Sequence, residues 1–257
     1  MADTTWDHHV VAHNTATEST NRMHDDTVAA SYGFRGGLVP GVDVWAYLTR
    51  PCVDRWGSDF LECGAMDVRL RNPVYDGEEV DARLDGDGSL TLTGPDGDVR
   101  ADGTAHLVDE APPTIAIDVA ELPDPAPPAE PELLTPGTTL GTLRLNHRQE
   151  PAMRYLDDVR ESHPIYDGGL IGHPGMLARQ ANYVLSNSVR LGPWIHVSTA
   201  AQHRGVVHDG DEVEVRGVVA DEREHKGHRF IDLDVEITAN QRPVWSARHT
   251  AIWRPRV

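Results

Sequence analysis

The chain has 257 residues, 39% of them apolar, with 41 Asp+Glu against 23 Lys+Arg and a formal net charge of -18. That apolar content is enough for a globular core, while so acidic a surface repels phosphate backbones and excludes nucleic acid as a partner. No apolar run approaches the roughly 20 residues of a membrane helix, so no membrane partner is expected.

Taken in chain order, MADTTWDHH is acidic where a secretion signal is basic, and no apolar segment follows, which predicts a soluble, cytoplasmic protein. His8 to Val11 reads as a strand, with His8, His9 and His13 at the surface and no carboxylate completing a metal pattern. In His24-Asp25-Asp26 an aspartate caps a short helix over 27–32, and no metal site is expected there. The turn Gly36-Gly37-Leu38-Val39-Pro40-Gly41 opens a longer helix carrying Val44, Trp45, Leu48, Cys52 and Trp56, which Pro51 should kink or interrupt. The two cysteines, Cys52 and Cys63, have neither metal-ligand nor disulfide spacing and fit a reduced compartment. The hydrophobic period then changes to two: Met66, Val68 and Leu70, then Val80 to Leu84 and Leu90 to Leu92, with Asp-Gly turns between them. One helix followed by an antiparallel meander is an α+β layer, helix on sheet.

Residues 111–136 are rich in proline, carry five acids and no base, and read as a semi-extended linker. Beyond it the text repeats. Gly168-Gly169-Leu170-Ile171-Gly172-His173-Pro174-Gly175 answers Gly36 to Gly41, and Val207-His208-Asp209-Gly210-Asp211-Glu212-Val213 answers Val74 to Val80. Leu177, Ala181, Val184, Leu185 and Ser188 share one helix face ahead of Gly192. Val213 to Arg216, Phe230 to Ile237 and Val244 to Trp253 then alternate as strands, with Lys226-Gly227 as a hairpin turn. The chain is thus two copies of one domain, 1–110 and 137–257, joined by 111–136, a pseudo-dimer that is either monomeric or paired again as a homodimer.

This pattern, a helix announced by a Gly/Pro/His turn and wrapped by an alternating meander, in tandem, resembles the double hotdog fold of the MaoC-like (R)-specific enoyl-thioester hydratases and dehydratases. The family motif is Asp-x-Asn-Pro-x-His ahead of the helix. The second copy keeps Asp158 and His163 at that spacing, with Arg160 and Glu161 in place of Asn and Pro; the first keeps Asn21 and His24, with Ser19 in place of the acid. The resemblance implies a hydro-lyase that interconverts 2-enoyl and 3-hydroxyacyl thioesters, with coenzyme A as part of the substrate and no other cofactor. It makes Asp158 and His163 the catalytic pair that holds a water. Gly175 or Gly41 donates to the enolate oxygen, and His173, Tyr166, Asn21 and His24 complete the substrate site. His173 is followed by Pro174, which has no N–H, so either one of the two glycines donates or the reaction differs from the family's.

Of the charge, 21 acids and 8 bases lie in residues 1–110 and 15 of each in 137–257. A polyanionic thioester meets less repulsion at the neutral second half, where Arg204, Lys226 and Arg229 are candidates for its phosphates. Two alternatives accompany the hydratase reading. One is a hotdog thioesterase using Asp43 near the first helix start; the other is a non-catalytic acyl-thioester binding module, suggested by the incomplete motif in both copies.

Overall fold

The computed structural model describes residues 4–256. The first half contains strands β1 (Thr5–Val11), β2 (Gly64–Leu70), β3 (Glu79–Asp85), β4 (Ser89–Thr93) and β5 (Val99–Leu107), and the second β6 (Leu143–Asn146), β7 (Ile195–His203), β8 (Glu212–His225), β9 (His228–Ala239) and β10 (Arg242–Arg254). Helices α1 (Asp26–Ser31), α2 (Gly41–Tyr47), α3 (Thr49–Trp56) and α4 (Ser58–Cys63) belong to the first half, α5 (Gln149–Asp158) and α6 (Pro174–Ser188) to the second. None of these helices is long and apolar enough to cross a membrane.

All ten strands join one antiparallel sheet in the order β1-β3-β4-β5-β2-β7-β10-β9-β8-β6. Read outward from its centre, each half repeats the same order. The halves meet at β2 and β7, where Ala65 lies opposite Gln202 and Val68 opposite Thr199. Strict alternation made this possible: in β3 and β4 every second residue is buried, which leaves one apolar face for the helices to cover. The repeat extends to the turns. The Tyr75 amide donates to Glu78 and the His208 amide to Asp211, each at 2.9 Å, while Leu38 bridges Tyr75 as Ile171 bridges His208.

The two central helices differ for a local reason. In the second half α6 runs unbroken for 15 residues and buries Leu177, Ala178, Ala181, Val184 and Leu185. It ends at Ser188, ahead of Gly192, because Val189 turns extended. In the first half the helix stops at Tyr47, whose carbonyl would need the amide that Pro51 lacks, and breaks again at Gly57, whose φ is +59°. Together α2 to α4 still bury Trp45, Leu48, Cys52, Val53 and Phe60 against the sheet, and burying each large apolar side chain contributes about 1.5–3 kcal/mol.

The proline-rich segment is extended, but it is not a free tether. Its prolines give no N–H, so its carbonyls act as acceptors: Arg190 donates its amide to Pro127 O at 2.7 Å, and Arg216 donates to Ile117 O at 2.9 Å. Its own Ile117, Ala129 and Leu134 are buried. The segment is therefore strapped across the second half.

One ion pair ties the halves together at their helices. Arg179 on α6 donates from Nε to Asp43 Oδ1 at 2.9 Å and from Nη2 to Asp43 Oδ2 at 2.8 Å, and its guanidinium lies 4.3 Å from the centre of the Tyr155 ring. The Asp43 side chain is fully buried. Arg179→Ala strands that carboxylate, so unfolding free energy should fall by about 3–5 kcal/mol. Thermal denaturation should show a midpoint lower by roughly 10 °C, while Asp43→Leu/Arg179→Met, which leaves no charge behind, should lose much less.

Candidate active site

The two helix starts, equivalent by the repeat, differ in what surrounds them. At the start of α2 a cavity of about 700 Å³ opens between the halves. The first half lines it with Asn21, Met23, His24, Phe34, Leu38, Gly41 and Val44, and the second with Asn182, Trp194, Ile195, His196 and Phe230. Residues 22–38 roof it, held by their own small core of Met23, Ala29 and Leu38 packed with Tyr32, Phe34, Tyr75 and Ile195. The wall is mostly apolar and, among the described residues, includes no carboxylate.

Of the roof residues that line the cavity, His24 is the titratable one. Its Nδ1–H donates to Leu38 O at 2.7 Å, which fixes the tautomer and leaves the Nε2 lone pair to accept from Asn21 Nδ2 at 3.3 Å. Burial holds the ring below the ordinary histidine range, only partly offset by the Leu38 carbonyl, so it is neutral at pH 7. Asn21 sets it in place: its Nδ2 donates to Trp194 O at 3.0 Å and lies 3.3 Å from His24 Nε2, while its Oδ1 accepts from the Trp194 amide at 3.1 Å. Ser19, where the motif has an acid, accepts from the Asn21 amide. Gly41 begins α2 with no side-chain cap, and a Cβ there would lie 2.5 Å from Leu70 and 2.7 Å from His196 Nδ1, so only glycine fits.

The second helix start is packed shut. The Gly175 amide donates to His173 Nδ1 at 3.0 Å, and a Cβ on Gly175 would fall 2.0 Å from the Tyr155 hydroxyl and 2.6 Å from Ala46. His173 Nε2 faces Thr49 Oγ1 at 3.3 Å and Glu161 Oε2 at 3.6 Å, and the Tyr166 ring packs against its own, tilted by 52° with centroids 4.8 Å apart. Glu161 also accepts from the His163 amide at 2.6 Å and from Arg50 at 2.9 Å. Burial opposes ionisation of Glu161, but His173, the His163 amide and Arg50 together pull its carboxyl down to about 2.

Of the residues expected at the site, the structure gathers Asn21, His24 and Gly41 in one place and His163, Tyr166, His173 and Gly175 in another. Asp158 joins neither group. It ends α5 half-exposed, while His163 turns its Nδ1 back to accept from the Ile165 amide at 3.1 Å and points Nε2 toward Asp54 at 3.7 Å. Neither residue lines the cavity. Asp43, the thioesterase carboxylate, has both oxygens committed to Arg179 and a further bond from Thr15 at 2.6 Å. Among the proposed phosphate contacts Lys226 lines the cavity mouth with Arg69 and Arg71, but Arg204 binds Ser246 beyond the cavity and Arg229 is held by Glu222. Sequence reading missed Asn182, Thr199 and His249, described below, because strand alternation marks only which face a residue takes.

Fold and site together define a double hotdog protein with an open cavity between its halves. Neither a protein-family model nor a curated protein sequence matches the chain. Solved structures do resemble it. A MaoC domain protein of Chloroflexus aurantiacus assigned as a dehydratase superposes with a TM-score of 0.69 at 10% identity, over 100% of this chain and 96% of that one. A conserved protein of Mycobacterium tuberculosis described as a double hotdog gives 0.64 at 14%, over 98% and 96%. A Novosphingobium aromaticivorans protein assigned as a thioesterase gives 0.52 at 12%, over 85% and 88%. The chain therefore has the fold of the MaoC-like dehydratases, a fold that hotdog thioesterases share in part.

Proposed function

We propose that the protein is a hydro-lyase acting on acyl thioesters in the first-half cavity, with His24 as its base. The observation that carries this reading is the neutral, tautomer-fixed His24 Nε2 on the wall of an apolar cavity beside a glycine-started helix. In hydration, water oxygen bonds to C3 of a 2-enoyl thioester, its proton passes to His24 Nε2, and the C2=C3 π electrons move into the thioester enolate. The enolate collapses as C2 takes the proton back from His24, so one titratable group closes the cycle without a carboxylate. Arg69 and Lys226 line the cavity and suit the phosphates of coenzyme A, beside Arg71, whose Nε is held by Asp102 at 2.8 Å.

A second reading, a non-catalytic thioester-binding module, is favoured by a cavity wall that has no carboxylate among the described residues. Incubation with crotonyl-coenzyme A and (3R)-hydroxybutyryl-coenzyme A separates the possibilities. Interconversion of the two supports the hydro-lyase; saturable binding without turnover supports the module; release of free thiol would refute both in favour of a thioesterase.

A further inference from the structure

A buried hydrogen-bond chain ends at the cavity. His196 Nε2 meets Thr199 Oγ1 at 2.8 Å, Thr199 Oγ1 meets His249 Nδ1 at 2.8 Å, and His249 Nε2 meets Asn182 Oδ1 at 2.9 Å. The two rings stack 4.4 Å apart at 16°, and Thr199 is fully buried between them at the centre of the sheet. The first link lies within β7 and the next two cross from β7 to β10 and from β10 to α6, and Asn182 lies where two spaces meet. It lines the 700 Å³ cavity and an adjoining one of about 550 Å³, together with Asn21, His24, Pro40 and Trp194.

We propose that Asn182, supplied by the second half, is the hydrogen-bond donor that holds a ligand oxygen opposite His24, with its amide aimed by the chain through His249, Thr199 and His196. The donor polarity follows from counting protons. Asn182 Oδ1 accepts, so His249 carries its proton on Nε2 and leaves Nδ1 bare. Thr199 has one hydroxyl proton and gives it to that nitrogen, so its oxygen accepts from His196 Nε2–H. His196 Nδ1 is then a bare nitrogen, buried beside Gly41 without a partner. Both rings are neutral, since burial depresses the affinity of each for a second proton. With Oδ1 occupied, the Asn182 NH2 is the end left for the cavity; among the described residues it has no partner. An amide donor held this way suits a neutral oxygen, the thioester carbonyl or the 3-hydroxyl, and its NH2 would strengthen its bond as enolate charge develops. Asn182 is thus the ligand-contacting group, and Thr199 and His249 are positioning residues.

The inference rests on the thioester reading of the same cavity, and its test has one arm that does not. Long-range 15N NMR of the intact protein without ligand should show His249 as the Nε2–H tautomer. Thr199→Val, nearly isosteric, should mix the tautomers, and Thr199→Ser should restore the wild-type pattern. With crotonyl-coenzyme A as probe, Asn182→Ala should weaken binding about tenfold, and Thr199→Val should weaken it less while Thr199→Ser binds as wild type. His249 protonated on Nδ1 in the wild type, or Asn182→Ala binding as tightly as wild type, overturns the proposal. If the probe binds nowhere in the cavity, the thioester reading and the ligand role of Asn182 fall together, whereas the tautomer result still decides whether the amide is aimed as described.

Discussion

His24→Ala should lower the rate of hydration of crotonyl-coenzyme A by about 10²–10⁴-fold, with the loss in kcat rather than KM. The side chain is poised for proton transfer by two independent features. The Leu38 carbonyl holds Nδ1–H at 2.7 Å, so the exchangeable lone pair is on Nε2, and burial keeps the ring neutral where a solvent-exposed histidine would be partly charged. The pH dependence follows from the direction of that shift. Activity should be level above pH 6.5 and fall as acid protonates Nε2, with the fall beginning below the ordinary histidine value. Asp158→Asn is the paired measurement and should leave the rate near wild type, since Asp158 ends α5 half-exposed and lines no part of the cavity. A large loss in that variant, with His24→Ala active, would relocate the chemistry to the second helix start.

Acidification should unfold the protein well before its exposed carboxylates are neutralised. Burial brings His196 down to about 4 and His203 to about 3, and it drives His249 in the same direction. In the unfolded chain each titrates near 6.5, so below that pH the unfolded state takes up protons that the folded state refuses. The stability contributed by neutral burial is complete above pH 6.5 and is lost as pH falls toward the folded values, at about 1.4 kcal/mol per pH unit for each histidine. Glu161, held at about 2 by His173 and Arg50, removes further stability once pH drops below 4.5. Between pH 6.5 and 4.5 the loss amounts to several kcal/mol, a large part of the 5–15 kcal/mol typical of a folded domain. Urea unfolding measured across this range should show the midpoint fall steeply. His203→Leu should make the profile shallower by about one proton, because His203 Nε2 is buried without a partner and leucine removes the titrating group. A midpoint that stays constant from pH 7 to 4.5 would contradict this account.

The architecture was legible before any coordinates. Alternation in 66–70, 80–84 and 230–237 identified strands, and Val74 to Val80 recurs in Val207 to Val213, where the Tyr75–Glu78 bond is repeated by His208–Asp211. Pro51 announced the interruption that separates α2 from α3. The site was legible in part. Asn21, His24 and Gly41 do meet at one cavity, but Asp158 and His163, which keep the motif's spacing better, turn away from it. Spacing along the chain says nothing about direction at a helix end, and there His163 caps the turn that follows while Asp158 ends α5 half-exposed and away from the cavity.

What the sequence determined by itself is the set of faces: periods of 3.6 and 2 dictate which side of each element is apolar, and two such sets in tandem must close on one another. Which of the two helix starts is open was decided only by tertiary packing. At Gly175 the space is taken by Tyr155 from α5 and Ala46 from the other half; at Gly41 it is bordered by Leu70 and His196, which leave a cavity beside them. The polar groups that serve that cavity, Asn182, Thr199 and His249, come from three elements of the second half. Their meeting is a matter of sheet register and side-chain volume across the interface, quantities that no local pattern in either half encodes.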